Sequence, residues 1–183
     1  MTDTDTDTDT NANSTTDTDA GAAFVPIFGP EDSLQEILIK AYQGEVLGEA
    51  LFRGIAEQLD DEDHAAKMRA LSELERRTKE AAAPALTRAG VPTEPDPEVL
   101  STAAALVPDA AAMGWEELMV SFEPITSQYI PLYRRVGELD PAEREISDLL
   151  VAHERALCAF ARAELAGQTS TSLEPIQALA HMR

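Results

Sequence analysis

The sequence predicts an all-α protein, a bundle of four long helices with a long connection between the second and third. Three observations predict it. Apolar residues recur every three or four positions through four stretches of the chain. The connections between these stretches are short, long and short in turn. Of the 183 residues, 44% are hydrophobic, which is enough to form one core. Two antiparallel helix pairs linked by a crossover are therefore expected.

The chain divides into a tail, a helical body and a second tail. Residues 1–23 are a Thr-Asp repeat tract with almost no large apolar side chain, so we expect a disordered acidic tail. The helical body is predicted over residues 24–167. Residues 168–183 form a C-terminal tail, in which Ile176 and Leu179 favour a short helix.

The first two helices are predicted over residues 31–59 and 64–88. No proline interrupts the apolar pattern of the first helix, and the acidic run at residues 60–63 supplies a break with N-cap chemistry. Asp61 and His64 have the spacing of metal ligands, but their place at a helix start favours capping. The short turn makes these helices antiparallel neighbours.

The second half of the body is rich in proline. Residues 91–109 contain four prolines and are predicted to be a long connection with only a short helical stretch. The third helix is expected from about Asp109 to Val136, with a kink or break at Pro124 and Pro131. The fourth helix is predicted over 141–166, where Pro141 takes the first helical position after an Asp N-cap.

The charge balance excludes several classes of partner. Against 14 Lys and Arg stand 34 Asp and Glu, a net charge of -20, which repels phosphate backbones and anionic lipid surfaces. No apolar run reaches the length of a membrane span, and no signal peptide is evident. We therefore expect a cytoplasmic protein without nucleic-acid or membrane partners. The single Cys158, which excludes an internal disulfide framework, is expected to fill the core.

A helical projection places several acidic residues among the apolar ones. Residue counts from the two short turns put most of them at a common height near the middle of the bundle. Glu164 is also inward but lies near the far end and is left out. The candidate metal ligands are Glu45, Glu49, Glu75, Glu123, His153 and Glu154.

Buried carboxylates need protonation, basic partners or a metal ion, because an unpaired buried charge is too costly. Carboxylate oxygens with an imidazole suit iron, or alternatively manganese. Such a metal could react with O₂ or peroxide, and Tyr42, Tyr129 and Tyr133 are candidate hydrogen-bond donors nearby.

Three helical segments resemble the ferritin-like superfamily of di-iron carboxylate bundles, across about residues 31–167. They are YQGEVLGEALFRGIAEQ, ALSELERRTKEAAAPAL and VAHERALCAFARAELAG. The resemblance implies that Glu49 or Glu45 is the ligand of the first helix and Glu75 that of the second. It also implies Glu123 on the third helix, and Glu154 with His153 on the fourth.

The sequence departs from that superfamily because it has no ExxH motif. Thr78 stands three residues after Glu75, and Leu157 stands three after Glu154. A single-metal site, an unusual carboxylate-rich site and a lost site are all compatible with this pattern.

The leading hypothesis is a ferritin-like metal-binding protein, a small non-haem iron or manganese oxidoreductase acting with O₂ or on a small-molecule substrate. The alternative is a metal-free helical interaction module whose buried acids are protonated or paired with Arg76, Arg77 or Arg155. A tRNA-modifying hydroxylase is a weaker third hypothesis, since the sequence shows no basic patch that would bind tRNA. A homodimer is compatible with each hypothesis.

Overall fold

A computed structural model describes Gly29 and residues 31–179, and this part of the chain is entirely helical, with no strand. The predicted tail 1–23 lies outside the described residues. The all-α prediction is confirmed for the described residues. The helices are α1 (Leu34–Gln58), α2 (Glu62–Arg88), α3 (Pro97–Ala112), α4 (Trp115–Ser127), α5 (Ile130–Leu139), α6 (Arg144–Leu165) and α7 (Glu174–Leu179).

The first two helices form a hairpin. Ser33 begins α1 with a capping box, in which its hydroxyl accepts from the Glu36 amide and the Glu36 carboxylate accepts from the Ser33 amide. Asp61 caps α2, since its carboxylate accepts from the His64 amide at 2.9 Å. The capping interpretation of Asp61 and His64 is thus confirmed, and α2 packs along the length of α1.

The connection between the second and third predicted helices is itself mostly helical, which corrects the expected long irregular segment. Asp96 caps α3 by accepting from the Glu98 amide at 2.8 Å, and Pro97 occupies the first turn, where its missing N–H costs nothing. Pro97 therefore starts a helix, and Pro108 lies inside it. The buried face of α3 consists of Val99, Ala103 and Val107.

A close approach to Gly54 holds α3 against α1. A Cβ placed on Gly54 would lie 2.4 Å from Val107 Cγ2, well inside contact distance. Only a residue without a side chain lets the two helices come this near.

The third predicted helix is two helices. Its expected start near Asp109 is wrong, because Asp109 lies in α3 and the next helix begins at Trp115. The break after α4 falls just before Pro131, whose ring cannot continue the preceding turn. Pro124, in contrast, remains inside α4. Both α4 and α5 pack against α6.

The last long helix comes after a short 3₁₀ turn, Pro141–Glu143, which occupies the predicted start of the fourth helix. Gly167, with a φ of 74°, lies just beyond the end of α6. No described helix combines the length and apolar character that a membrane crossing demands.

Two apolar clusters make up the core, one at each end of the bundle. The first includes Leu38, Val46 and Leu150, and the second includes Leu71, Phe122 and Phe160. On α2 and α6 the buried polar residues Glu75 and His153 lie between these two clusters, and on α1 the buried Glu45 lies near the inner end of the first cluster, beside Val46. The bundle therefore contains an internal polar layer with apolar packing on both sides.

Candidate metal centre

Glu45 of α1, Glu75 of α2 and His153 of α6 converge in the middle of the bundle. All three are buried, with 4% exposure at most. His153 Nε2 lies 3.6 Å from Glu45 Oε2 and 3.4 Å from Glu75 Oε1. One donor atom from each residue lies within 4.8 Å of the other two. We call these three residues the Glu/His centre.

Thr78 orients the imidazole. Its Oγ1 lies 2.9 Å from His153 Nδ1, on the side of the ring opposite the carboxylates. When the Nδ1 hydrogen is donated to Thr78, Nε2 carries a free lone pair that faces Glu45 and Glu75. The sequence prediction did not assign Thr78 a role, although its place three residues after Glu75 puts both on one face of α2.

Gly48 makes room for Glu75. A Cβ on Gly48 would lie 2.7 Å from Glu75 Cδ and 2.8 Å from Glu75 Oε2. The absence of a side chain at this position of α1 therefore lets the Glu75 carboxylate lie between the helices. Gly48 is a second residue of the site that the sequence prediction missed.

The pKa values of the centre depend on burial and mutual charge. Burial raises the pKa of Glu45 well above its usual value, and the charge of Glu75 raises it further. Burial opposes the charged form of His153, but the Glu75 carboxylate outweighs it and the His153 pKa is raised. Burial raises the pKa of the neighbouring Glu154 to about 8. Without a cation, these groups retain protons that exposed carboxylates would lose.

No Lys or Arg forms an ion pair with the buried acids of the centre. Among the ion pairs of the described residues, none joins a Lys or Arg to Glu45, Glu75 or Glu154. Glu45 Oε2 is buried and has no hydrogen-bond partner. Such an acceptor typically costs about 1–3 kcal/mol when buried. Apart from a protonated His153, no cationic side chain among the described residues pairs with these acids.

The arginines considered as partners are engaged or directed elsewhere. Arg76 bonds Glu73 and Glu80, Arg77 bonds Glu73, and Arg155 is exposed. The arginine-paired version of the interaction-module hypothesis is therefore wrong for Arg76 and Arg77.

Two members of the predicted six-residue set are placed away from the centre. The Glu49 carboxylate bonds Lys79, one helical turn beyond Glu45. Glu123 is exposed on α4 and bonds Arg162. Counting residues from a turn gives height alone, whereas the rotation of each helix decides which side chains point inward. Glu154 is buried beside His153. Its charge raises the pKa of Glu45 and of His153, but its carboxylate is not one of the three donor groups that converge.

The tyrosines differ in their relation to the centre. Tyr42 donates its hydroxyl to the Thr93 carbonyl, so it is directed towards the start of the α2–α3 connection. Tyr133 is buried, and burial together with the charge of Glu154 raises its pKa well above the usual value. Tyr129 stacks on Tyr133 with ring centroids 5.9 Å apart. Glu154 also raises the pKa of Tyr129, but Glu45 and Glu75 raise that of Tyr133 alone of these two tyrosines.

A second buried charge pair lies near the C-terminal end of α6, and here a lysine faces the buried acid. Lys67 Nζ lies 2.8 Å from Glu164 Oε1 and 2.6 Å from Asp63 Oδ2, and Trp115 Nε1 donates to Glu164 Oε2 at 2.9 Å. Burial by itself raises the pKa of Glu164, but hydrogen bonds from Lys67, Ser172 and Trp115 outweigh it and lower that pKa. The ammonium fills the role here that a metal ion would fill at the Glu/His centre.

Comparison with protein families, with curated proteins and with solved structures found no match to this chain. The ferritin-like resemblance stays a prediction from the sequence.

Proposed function

We propose that this chain is a ferritin-like metal-binding protein that holds one Fe(II) or Mn(II) ion at Glu45, Glu75 and His153 Nε2. The observation that carries the proposal is a buried centre in which three donor atoms converge and no Lys or Arg of the described residues forms an ion pair with Glu45 or Glu75. Glu45 Oε2, the acceptor without a hydrogen bond, is one of these donors.

The distances fit a single ion. Two atoms that each lie about 2.1 Å from one metal can be at most about 4.2 Å apart. The separations of 3.4 Å and 3.6 Å between His153 Nε2 and the two carboxylate oxygens fall inside this limit. The three donor atoms lie within 4.8 Å of one another, so metal uptake would bring the Glu45 and Glu75 oxygens to within about 4.2 Å.

Charge and donor type support the same ion class. Two carboxylates and a neutral imidazole balance a divalent cation, which removes the penalty of burying unpaired acids. Two oxygen donors and one nitrogen donor suit Fe(II) or Mn(II), whereas the donor sets of structural zinc sites are typically rich in sulfur. Thr78 supplies the supporting hydrogen bond that metal-bound histidines almost always make.

We further propose that the protein is a small non-haem iron or manganese oxidoreductase. A bound Fe(II) or Mn(II) would supply a redox-active ion that reacts with O₂ or peroxide. The protein contributes the ligands, the Thr78 contact that orients His153, and the two apolar clusters that exclude bulk water from the centre.

Metal content tests the binding. Protein purified without chelator and then titrated anaerobically with Fe(II) or Mn(II) is expected to bind one equivalent. Glu45→Gln and Glu75→Gln, which keep side-chain shape, should lose it. Glu123→Gln is the matched control, because it removes an exposed carboxylate that is paired with Arg162. No metal in the unmodified protein, or equal binding by Glu45→Gln and the control, overturns the proposal.

One observation favours the metal-free alternative, an interaction module without the ion. A protonated Glu45 carboxyl, which its raised pKa permits, can hydrogen-bond the Glu75 carboxylate and satisfy the centre without a cation. On that hypothesis Glu45→Gln keeps or increases the free energy of unfolding, and no Fe(II) or Mn(II) is taken up. Oxygen consumption by the iron-loaded protein tests the oxidoreductase proposal separately.

A further inference from the structure

A cavity of about 370 Å³ lies between α1, α3 and α4, and it shares no residue with the Glu/His centre. Its walls are formed by one face of each helix. The apolar side chains of the wall include Leu51, Phe52 and Ile55 of α1, Leu118 and Phe122 of α4, and Ala110 of α3.

Two aromatic rings form part of the wall. Phe52 and Phe122 stack with centroids 5.6 Å apart and an angle of 19° between the rings. The Phe122 ring also packs against Phe160, with centroids 6.2 Å apart and an angle of 55° between the rings, so Phe122 has two aromatic neighbours. Fixed ring faces of this kind pack well against flat apolar groups.

The polar groups in the wall are already bonded within the protein. Ser121 Oγ donates to the Leu118 carbonyl at 2.7 Å, and Thr126 Oγ1 donates to the Phe122 carbonyl at 2.9 Å. A ligand that entered with polar groups would give up bonds to water and find few replacements. The interior therefore favours a molecule with few or no hydrogen-bonding groups.

Asp109 disfavours an anionic ligand. It is the single charged residue in the lining, its side chain is exposed, and no ion pair among the described residues includes it. No Lys or Arg lines the cavity, and the whole chain carries a net charge of -20. Carboxylate, sulfonate and phosphate groups are repelled at this position.

We propose that the cavity binds one neutral, apolar molecule of about two to three aromatic rings. The size is set by volume, since an apolar cavity of about 150 Å³ holds a single benzene ring. A volume of about 370 Å³ is also within the range of ordinary small-molecule sites. The binding does not depend on a metal at the Glu/His centre.

Titration with a pair of fluorescent probes tests the proposal. Phenylnaphthylamine is neutral, and anilinonaphthalene sulfonate has the same rings plus one negative charge. We expect saturable one-to-one binding of phenylnaphthylamine and at least tenfold weaker binding of the sulfonate. Asp109→Asn should strengthen the sulfonate and leave phenylnaphthylamine unchanged. Equal affinity of the full-length protein for both probes overturns the charge argument.

Filling the cavity tests its location. Ala110→Leu adds apolar volume inside the cavity and should weaken phenylnaphthylamine at least tenfold, whereas Ala104→Leu adds the same volume on the exposed side of α3. If circular dichroism shows that Ala110→Leu is misfolded, Ser121→Leu takes its place, because it fills the cavity from α4. Equal binding by the filled and control variants, or no saturable binding at all, refutes the site.

One variant distinguishes a failure of the metal site from a failure of the cavity. Glu45→Gln is expected to lose Fe(II) or Mn(II) and to bind phenylnaphthylamine as the unmodified protein does. Loss of probe binding in Glu45→Gln with its fold retained contradicts the independence of the two sites.

Discussion

Replacing Gly48 with alanine is a direct test of the centre, because the new Cβ falls on the Glu75 side chain. The Cβ would lie 2.7 Å from Glu75 Cδ and 3.0 Å from Glu75 Cγ, whereas carbon atoms in contact prefer about 3.5–4.0 Å. Glu75 must therefore move by about 0.8 Å or more. Its carboxylate then leaves the position 3.4 Å from His153 Nε2 that the proposed metal site uses.

Gly44→Ala is the matched control. It lies one turn earlier on α1, and its Cβ would meet nothing nearer than the Tyr133 hydroxyl at 4.0 Å. Alanine inside a helix is favoured over glycine by about 0.5–1 kcal/mol, so Gly44→Ala should stabilise the protein by that amount. Gly48→Ala gains the same propensity but adds overpacking of about 1–3 kcal/mol.

Urea unfolding of the metal-free variants, monitored by far-UV circular dichroism, measures this difference. We expect Gly48→Ala to be about 1–3 kcal/mol less stable than Gly44→Ala. Anaerobic titration with Fe(II) or Mn(II) should show at least tenfold weaker binding by Gly48→Ala, the order of loss seen when support of a ligand is removed. Equal stability and equal metal affinity of the two variants would refute the reasoning.

The other predictions concern the supports of the centre and of the fold. Thr78→Val should weaken metal binding by about 10–100-fold, with Thr78→Ser restoring it, because the valine cannot bond His153 Nδ1. Gly54→Ala should destabilise the protein by about 1–3 kcal/mol by pushing α3 from α1, and Val107→Ala in the same chain should relieve it, as urea unfolding can show. The pKa of Glu164 is lowered on folding, so its contribution is complete above about pH 4.5 and is lost as the pH falls through the folded pKa. The stability difference between the unmodified protein and Glu164→Gln should therefore shrink below that pH, and a constant difference would contradict this assignment.

The helical class and the approximate helix positions could be predicted because they depend on local pattern. The first two helices begin and end within three residues of the predicted bounds, since apolar periodicity and the cap chemistry of the acidic run at residues 60–63 are short-range features. The prolines were harder to interpret. Pro97 starts a helix, whereas Pro131 ends one, and the difference depends on the residues around each.

The inward-facing acids were predicted only as a set. Periodicity placed Glu45 and Glu49 on one helical sector, yet the first is buried in the centre and the second bonds Lys79. The two are one turn apart, and only the packing of α2 against α1 distinguishes them. Glu123 was ambiguous because its orientation depends on how α4 rotates, and the structure exposes it.

The sequence by itself determined the all-α character, the acidic charge and the presence of glutamates and a histidine on inward sectors, because these depend only on composition and a period of 3.6 residues. Tertiary structure decided which of these side chains meet. Glycine at position 48 and the hydroxyl of Thr78 act across helices, where no pattern along the chain reports them. The Glu/His centre is formed by contacts between residues far apart in sequence, and its chemistry depends on the burial that those contacts create.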